Sequence, residues 1–205
     1  MKKIKIRIAG IGGQGIKFAG EILGEAATLN NYYATQRVSY TAAARGGPVH
    51  TDIIISDEPI HNPILETPDI LCIMAQYALE FFKEEIKASI GCLLIVDDIK
   101  VRQIDLQDCL ILRVDFSSVS KATNMVLIGF LAHLLSLEIN SPSNDEIDPF
   151  YVQKLKYKHQ YETFREILTL NPQEFENAIN YRSPQGFKEI NLKAFRRGYK
   201  LTGHR

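Results

Sequence analysis

The fold is decided by one stretch of sequence, Gly10-Ile11-Gly12-Gly13-Gln14-Gly15. It fits the pattern Gly-x-Gly-x-x-Gly and follows a predicted strand at residues 4–9, where charged and apolar residues alternate. It precedes residues 16–29, whose apolar side chains recur at helical spacing. Strand, glycine turn and helix in this order form the context in which the motif binds phosphates. Its first glycine permits a tight turn, its second lets the backbone approach a ligand, and its third lets helix and strand pack closely.

The ligand of this loop stays open at the level of sequence. A dinucleotide site needs an acidic residue about 20 positions further on, at the end of the second strand, to bind the ribose. Residues 33–39 contain no carboxylate, although Arg37 could meet a 2′-phosphate and so leaves NADP open. Of the three interpretations, we favour a phosphate ligand other than NAD(P). A turn that only packs ranks second, and an NAD(P) site ranks third.

A second small loop follows the second predicted strand and reads Ser39-Tyr40-Thr41-Ala42-Ala43-Ala44-Arg45-Gly46-Gly47. In a doubly wound sheet, ligands bind beyond the carboxyl ends of strands, so we expect this loop to lie beside the first. Gly46 and Gly47 allow unusual backbone angles, and Arg45 offers a forked donor for a phosphate or a carboxylate. The alternative is that Arg45 pairs with a nearby acid and the glycines form only a turn.

Short apolar runs alternate with helical patterns along the first 140 residues. This predicts an α/β fold with a Rossmann-like, doubly wound, mostly parallel sheet. We assign residues 1–140 to this core and residues 141–205 to a mostly helical C-terminal extension that packs on the core or on partner subunits. Further strands are predicted at residues 32–38, 51–56, 70–74, 93–96 and 110–114, and helices at residues 76–87, 124–137 and 191–199.

Composition narrows the class of protein. The 24 basic and 24 acidic residues cancel, which argues against nucleic acid as a partner. The longest apolar stretch, residues 125–137, is too short to span a bilayer, and the N-terminus alternates like a strand, so we expect a cytoplasmic protein. The three cysteines are Cys72, Cys92 and Cys109, and they form no Cys-x-x-Cys pair. This predicts that they are buried thiols and that the chain has no metal or cluster site.

The two loops, in this order and spacing, resemble the gamma subunit of 2-oxoacid:ferredoxin oxidoreductases. That family carries Gly-x-Gly-Gly-Gln-Gly in the first loop, which is intact here, and Ser-Tyr-Gly-Pro-Glu-x-Arg-Gly-Gly in the second. The second loop keeps Ser39, Tyr40, Arg45, Gly46 and Gly47, but it has Thr-Ala-Ala in place of Gly-Pro-Glu. Matching segments recur across nearly the whole chain except about residues 145–186, where we expect a docking surface.

The resemblance implies a cytoplasmic enzyme assembly that decarboxylates a 2-oxoacid, forms an acyl-CoA and reduces ferredoxin. It implies thiamine diphosphate, magnesium and iron–sulfur clusters in alpha-, beta- and delta-type partner subunits. The Ile-Ser-Asp that follows the second loop favours the 2-oxoglutarate branch, with the pyruvate and 2-ketoisovalerate types second. This chain offers no catalytic or metal-ligating set, so its candidate role is to complete the assembly and to bind coenzyme A. The candidate binding residues are Gly10, Gly12, Gly13, Gln14, Gly15, Ser39, Tyr40, Arg45, Gly46 and Gly47.

Two other functions remain open, a self-standing NADP-dependent reductase and a nucleotide-binding regulatory module. Within the main interpretation, both loops could instead only pack on a partner subunit. Three polar positions receive structural interpretations. His133 is expected to be a hydrogen-bonded core or interface histidine, and Asp97 with Asp98 to serve as a cap or turn.

Overall fold

The computed structural model describes residues 2–40, 47–88, 92–106, 110–136 and 168–201. These ranges contain six strands and five helices. The strands are β1 (Lys3–Ile11), β2 (Tyr33–Tyr40), β3 (Pro48–Ser56), β4 (Ile70–Ile73), β5 (Leu93–Asp97) and β6 (Leu110–Val114). The helices are α1 (Ile16–Leu29), α2 (Gln76–Ala88), α3 (Thr123–Ser136), α4 (Pro172–Arg182) and α5 (Lys188–Tyr199).

All six strands form one sheet in the order β2-β3-β1-β4-β5-β6. β1, β4, β5 and β6 run parallel to one another, whereas β3 is antiparallel to both β1 and β2. The predicted α/β fold with a mostly parallel sheet and C-terminal helices is therefore confirmed. The sequence did not predict that β3 would lie between β1 and β2, which share one direction without touching.

Helices cover both faces of the sheet. One face packs against α1, α3, α4 and α5 in a single apolar cluster that includes Ile6, Ile8, Phe130 and Phe195. The other face packs against α2 in a smaller cluster around Leu71, Ile73 and Leu94. Buried side chains on both faces explain why β4 and β5 lack any alternation of polar residues.

The boundaries of α1 agree with the sequence. Its buried stripe includes Ile16, Leu23 and Ala26, at helical spacing. The helix ends where Asn30 donates its backbone N–H to the carbonyl of Ala26 and Asn31 takes a positive φ of 62°. Asparagine tolerates this left-handed conformation better than most residues.

β2 extends further than predicted. Ser39 and Tyr40 were expected in the second loop, but they form the last two residues of this strand and pair with His50 and Val49 of β3. β3 correspondingly begins at Pro48 rather than Thr51. The cause is the β2–β3 hairpin, whose antiparallel ladder organises residues that have no apolar pattern of their own.

The last helix is packed closely against α3. A Cβ atom at Gly129 would lie 2.0 Å from the carbonyl oxygen of Phe195, and one at Gly198 would lie 1.9 Å from that of Val126. Glycines on both helices therefore bring the two backbones into direct contact. α3 is apolar around its circumference because α5 covers the side that faces away from the sheet.

α4 packs on α1, with Phe175, Ala178 and Ile179 buried in the shared core. Its N-cap residue is Asn171, whose side chain accepts a hydrogen bond from the N–H of Gln173, and its first residue is Pro172. Residues 168–186 of the expected docking surface thus contribute part of the core. Residues 145–167 lie outside the described ranges.

No helix in the described ranges reaches the length and apolarity that crossing a membrane requires.

The close contact of α3 and α5 predicts that adding a methyl group at Gly129 lowers the stability of the protein. Gly129→Ala should lower the free energy of unfolding by about 2 kcal/mol, because the new Cβ overlaps the Phe195 carbonyl and neither backbone can move independently. Gly24→Ala on α1 is the matched control, since its Cβ meets nothing within 4 Å, and it should raise stability by about 0.5–1 kcal/mol. Urea unfolding of both variants measures the two changes, and equal effects would contradict the close packing.

Candidate functional site

The glycine loop lies at the carboxyl edge of the sheet and starts inside β1. Gly10 still pairs with Val49 of β3, and a Cβ there would lie 2.3 Å from the Gln14 side-chain oxygen. Gly12 and Gly13 form an exposed turn. Gly13 and Gly15 have φ values of 90° and 68°, a left-handed conformation that side chains disfavour. The motif therefore uses its glycines for close packing at Gly10 and for backbone conformation at Gly13 and Gly15.

Gln14 holds the loop in place. Its Oε1 accepts a hydrogen bond from the N–H of Ile11 at 2.8 Å, and its Nε2 donates to the carbonyl of Met74 at 2.8 Å. Met74 directly follows β4, so the side chain ties the loop to the neighbouring parallel strand. Both ends of the Gln14 amide are used inside the protein, which gives this residue a positioning role.

Backbone donors are available at the start of α1. Gly15 is the N-cap residue, has no side chain to cap the helix, and is followed by a first turn without an acidic residue. Among the described residues, the N–H groups of Gly12 and Gly13 have no hydrogen-bond acceptor. Free N–H groups and the positive end of a helix dipole favour an anion.

A contact that the sequence did not reveal joins the starts of two helices. Asn124, the second residue of α3, donates from Nδ2 to the carbonyl of Gly15 at 3.3 Å. A Cβ at Gly15 would lie 2.4 Å from the same Nδ2 atom. The third glycine of the motif is therefore needed for packing against α3 as well as for its φ.

The ends of the second loop reach the same edge of the sheet. Pro48 pairs with Ile11 at the end of β1, so Gly47, which is buried, lies near the first loop. Tyr40 is 63% exposed and lies on the α1 face in register with Val49 and Gly10, whereas Ser39 lies on the opposite face with His50. Arg45 and Gly46 lie outside the described residues. The expected proximity of the loops holds for the described ends, and their ligand stays a prediction.

The strand order argues against NADP at the glycine loop. β3 separates β1 from β2 by two strand spacings, about 9.6 Å. Arg37 lies opposite Asp52, three residues before the end of β2, rather than beside the loop. In a dinucleotide site the equivalent residue ends the strand that directly neighbours β1.

Charged residues that the sequence did not single out meet on the α2 face. Arg7 of β1 binds Asp52 of β3 through Nε at 2.6 Å and Nη2 at 2.9 Å, and its Nη1 also binds Glu85 of α2. Burial raises the pKa of Glu85, although the charge of Arg7 opposes this shift. The guanidinium lies 5.3 Å from the ring centroid of Phe82, so the cluster connects β1, β3 and α2.

Three other polar predictions have different outcomes. Asp97 has the expected turn role: its carboxylate accepts hydrogen bonds from Ser117 Oγ at 2.5 Å and from the N–H of Ile99, and burial raises its pKa. Asp98 pairs with Arg113 at 3.0 Å. The expectation that His133 is hydrogen-bonded fails at one atom: no group in the described ranges bonds to its buried Nδ1, and the ring packs edge-on against Tyr199.

The described cysteines, Cys72 and Cys92, are buried, as predicted. Burial raises the pKa of the Cys72 thiol well above its ordinary value, which makes it unreactive. Cys109 lies outside the described residues.

Two grooves lie away from the glycine loop. One of about 450 Å³ separates α2 from the segment before β6 and includes Gln76, Lys83 and Asp105. The other, of about 280 Å³, runs between α1 and β2 and includes Gly24 and Arg182. Neither contains a residue of the glycine loop, whose backbone donors face open surface instead.

Comparison with known proteins identifies the family. Residues 5–150 match the family model described as pyruvate ferredoxin/flavodoxin oxidoreductase. The 2-oxoglutarate synthase subunit KorC of Methanocaldococcus jannaschii is 31% identical over 210 residues, which cover 97% of this chain and 93% of the relative. The chain belongs to the pyruvate ferredoxin/flavodoxin oxidoreductase family. Its resemblance to the gamma subunit of 2-oxoacid:ferredoxin oxidoreductases, predicted from the two loops, is confirmed.

Solved structures share the fold. The gamma subunit of a keto/oxoacid ferredoxin oxidoreductase from Geobacter sulfurreducens superposes with a TM-score of 0.70 at 24% identity, covering 98% of this chain and 96% of that one. The 2-oxoglutarate:ferredoxin oxidoreductase of Magnetococcus marinus, with 2-oxoglutarate, coenzyme A and succinyl-CoA bound, superposes with a TM-score of 0.69 at 20% identity. That match covers 97% of this chain and 30% of the larger one.

The two hydrogen bonds of Gln14 predict that replacing this side chain destabilises the protein and loosens the glycine loop. Gln14→Met should cost about 1–3 kcal/mol, because the N–H of Ile11 and the carbonyl of Met74 both lose their partner. Urea unfolding measures the loss, and hydrogen exchange at the Ile11 amide should become faster. Gln185→Met, at an exposed turn, is the control and should change neither quantity. Unchanged exchange at Ile11 would contradict the positioning role.

His50 predicts a dependence of stability on pH. Burial lowers its pKa, so the folded protein resists the proton that the unfolded chain takes up below about pH 6.5. The stability present above that pH is therefore lost as the pH falls. His50→Phe keeps the aromatic contact with Phe82 and should lose less stability between about pH 7.5 and about pH 5.5. Parallel urea titrations test this, and equal losses would contradict it.

Proposed function

We propose that this chain is the gamma subunit of a 2-oxoglutarate:ferredoxin oxidoreductase and that its glycine loop binds a phosphate group of coenzyme A. The assembly would convert 2-oxoglutarate and coenzyme A into succinyl-CoA and CO2 and would pass the released electrons to ferredoxin. Thiamine diphosphate, magnesium and iron–sulfur clusters would belong to alpha-, beta- and delta-type partner subunits. We expect the assembly to work in the cytoplasm.

The choice of 2-oxoacid rests on the relative with near full-length similarity. The M. jannaschii protein, named a subunit of 2-oxoglutarate synthase, aligns with this chain almost from end to end. Selectivity for the substrate should depend mainly on the partner subunits, because the exposed residues of the glycine loop, Gly12 and Gly13, offer only backbone groups. For the same reason we assign the chain no catalytic residue.

The observation that carries the coenzyme A proposal is the pair of unoccupied donors at Gly12 and Gly13. They lie beside an uncapped helix start with no acidic residue in its first turn, which suits a phosphate. Gly13 offers room as well, since a Cβ there would meet nothing within 4 Å. These residues therefore fit the pyrophosphate or the 3′-phosphate of coenzyme A, whose thiol accepts the acyl group.

The protein contributes orientation in this proposal. Gln14 fixes the loop against β4, and Asn124 fixes the start of α1, so the donors keep their direction before the ligand arrives. Preorganised donors lose little free energy to ordering when a phosphate binds. Arg45 and Gly46 would complete the site from the second loop, with Ser39, Tyr40 and Gly47 at its base.

Composition of the native assembly is the first test. The chain should be purified from its own cells without oxygen, and its companions identified by mass spectrometry. Co-purification of a thiamine-diphosphate protein and of proteins with iron–sulfur cysteine motifs supports the subunit assignment. A chain that emerges alone would favour a self-standing nucleotide-binding protein.

Introducing a negative charge at position 12 tests whether the glycine loop binds coenzyme A in the intact complex. Gly12→Asp should raise the KM for coenzyme A by about tenfold or more, because a carboxylate repels the phosphate. Gly12→Asn has nearly the same size without the charge and should raise it much less. Arg45→Ala should also raise it. Loss of assembly with an unchanged KM would mean that the loops only pack on a partner.

A further inference from the structure

We propose that an extended segment of a partner subunit adds to the sheet along β2 and places basic side chains in the groove between β2 and α1. This inference rests on the chain being a subunit of a larger complex and is independent of whether the glycine loop binds coenzyme A. Three features of the described residues support it: the open edge of β2, the direction of its amides, and the composition of the groove.

Within the part of the chain that the structure describes, β2 is a long edge strand that no other strand covers. It pairs with β3 over eight consecutive residues without a bulge, and it contains neither proline nor glycine. Its only charged residue, Arg37, lies in register with Asp52 and Arg7 on the α2 face and so does not guard the groove. Sheets usually protect such edges with charge, proline or a bulge to avoid pairing with other chains. An edge without these devices suits a permanent partner.

The hydrogen bonds of β1 show which amides of β2 point outward. The N–H groups of Asp69 and Met74 donate to the carbonyls of Lys5 and Ala9, so the odd residues of β1 face β4 and its even residues face β3. In β3, the residues that bond to β1 alternate with the residues that bond to β2, because both pairings are antiparallel. The odd residues of β2 therefore bond to β3, and its even residues direct their N–H and C=O groups away from the sheet: Ala34, Gln36, Val38 and Tyr40.

The groove beside β2 has an unexplained helix glycine. Gly20 is accounted for within this chain, because a Cβ there would lie 2.6 Å from Oγ1 and 2.9 Å from Cγ2 of the buried Thr51. Gly24, one turn later, would meet nothing within 4 Å. Glycine weakens the interior of a helix relative to alanine, and no contact among the described residues accounts for it here. A partner that approaches α1 closely would account for it.

The charge of the groove indicates the chemistry of the partner. Glu21 and Glu25 line it, and Arg182 already places its guanidinium on Glu25 through Nε at 2.9 Å. Among the described residues, the ion pair of Glu21 is with Lys17, at 3.5 Å, and the Lys17 side chain is 60% exposed; Arg182 lies close enough to interact with the Glu21 charge as well. An added strand has side chains on alternate faces. Lysine or arginine on the α1 side would meet Glu21, and acidic or polar residues on the other side would meet Arg37.

A second copy of this chain fits the groove less well. If β2 paired with its own counterpart, the side chains directed to the α1 face would be Ala34, Gln36, Val38 and Tyr40, none of which is basic. The acidic groove would then gain no opposite charge. The occupant with complementary charge is a different chain, whose extended segment has a basic residue at every second position.

Hydrogen exchange at single-residue resolution tests the proposal on the full chain and on the native complex. In the free chain, the amides of Gln36 and Val38 should exchange fast, and those of Thr35 and Arg37 slowly. In the complex, Gln36 and Val38 should slow by about tenfold or more, because they gain acceptors on the partner strand. Unchanged exchange of Gln36 and Val38 in the complex would overturn the proposal. So would protection that appears in the free chain as its concentration rises, which would indicate a second copy.

A variant at Gly24 separates assembly from folding. Gly24→Gln fills the groove from a helix position with open space, so the free chain should unfold at the same temperature as the wild type or a higher one. Recovery of partner subunits with the tagged chain should nevertheless fall by about tenfold. Lys87→Gln on α2, across the sheet, is the matched control and should recover them fully. Full recovery with Gly24→Gln would contradict the proposal, whatever the KM for coenzyme A.

Discussion

The architecture depends on the backbone ladder of β1, which is antiparallel to β3 on one side and parallel to β4 on the other. The parallel side requires crossover connections and brings the ends of β1 and β4 to one edge, where Gln14 joins them. The antiparallel side admits the β2–β3 pair, in which the end of β2 and the start of β3 lie at the same edge. One strand thus determines where the first loop and the described ends of the second lie, and it leaves β2 as the outer strand of the described sheet.

A buried ion pair stabilises the register of that ladder. Arg7 and Asp52 face each other across β1 and β3, and both are about nine-tenths buried or more. A slip by one residue would turn Arg7 toward the apolar cluster around Ile6 and Ile8 and would leave Asp52 without its partner. Uncompensated buried charges are costly, so the pair specifies one alignment even if its net contribution to stability is small. Glu85 extends this constraint to α2.

Local patterns were sufficient to predict α1, the glycine turn and most strands, because each depends on residues close in sequence. The position of β3 between β1 and β2 was not predictable, since both orders present the same apolar runs. Gln14 was expected at the ligand from its motif, and that expectation stays a prediction; its contact with Met74, 60 residues away, is a positioning contact that the sequence did not indicate. Asn124 and Gly15 meet across 109 residues, and no spacing in the sequence indicates such a contact.

The contact of Gly129 and Gly198 with facing carbonyls has a consequence for the order of events during synthesis. α3 leaves the ribosome long before α5, yet among the described residues it is 188–199 that cover its outer side. The apolar cluster on this face of the sheet therefore closes only after residues 188–199 have been synthesised. A nascent chain would expose α3 in the interval, and a chaperone or an early-binding subunit would find it there.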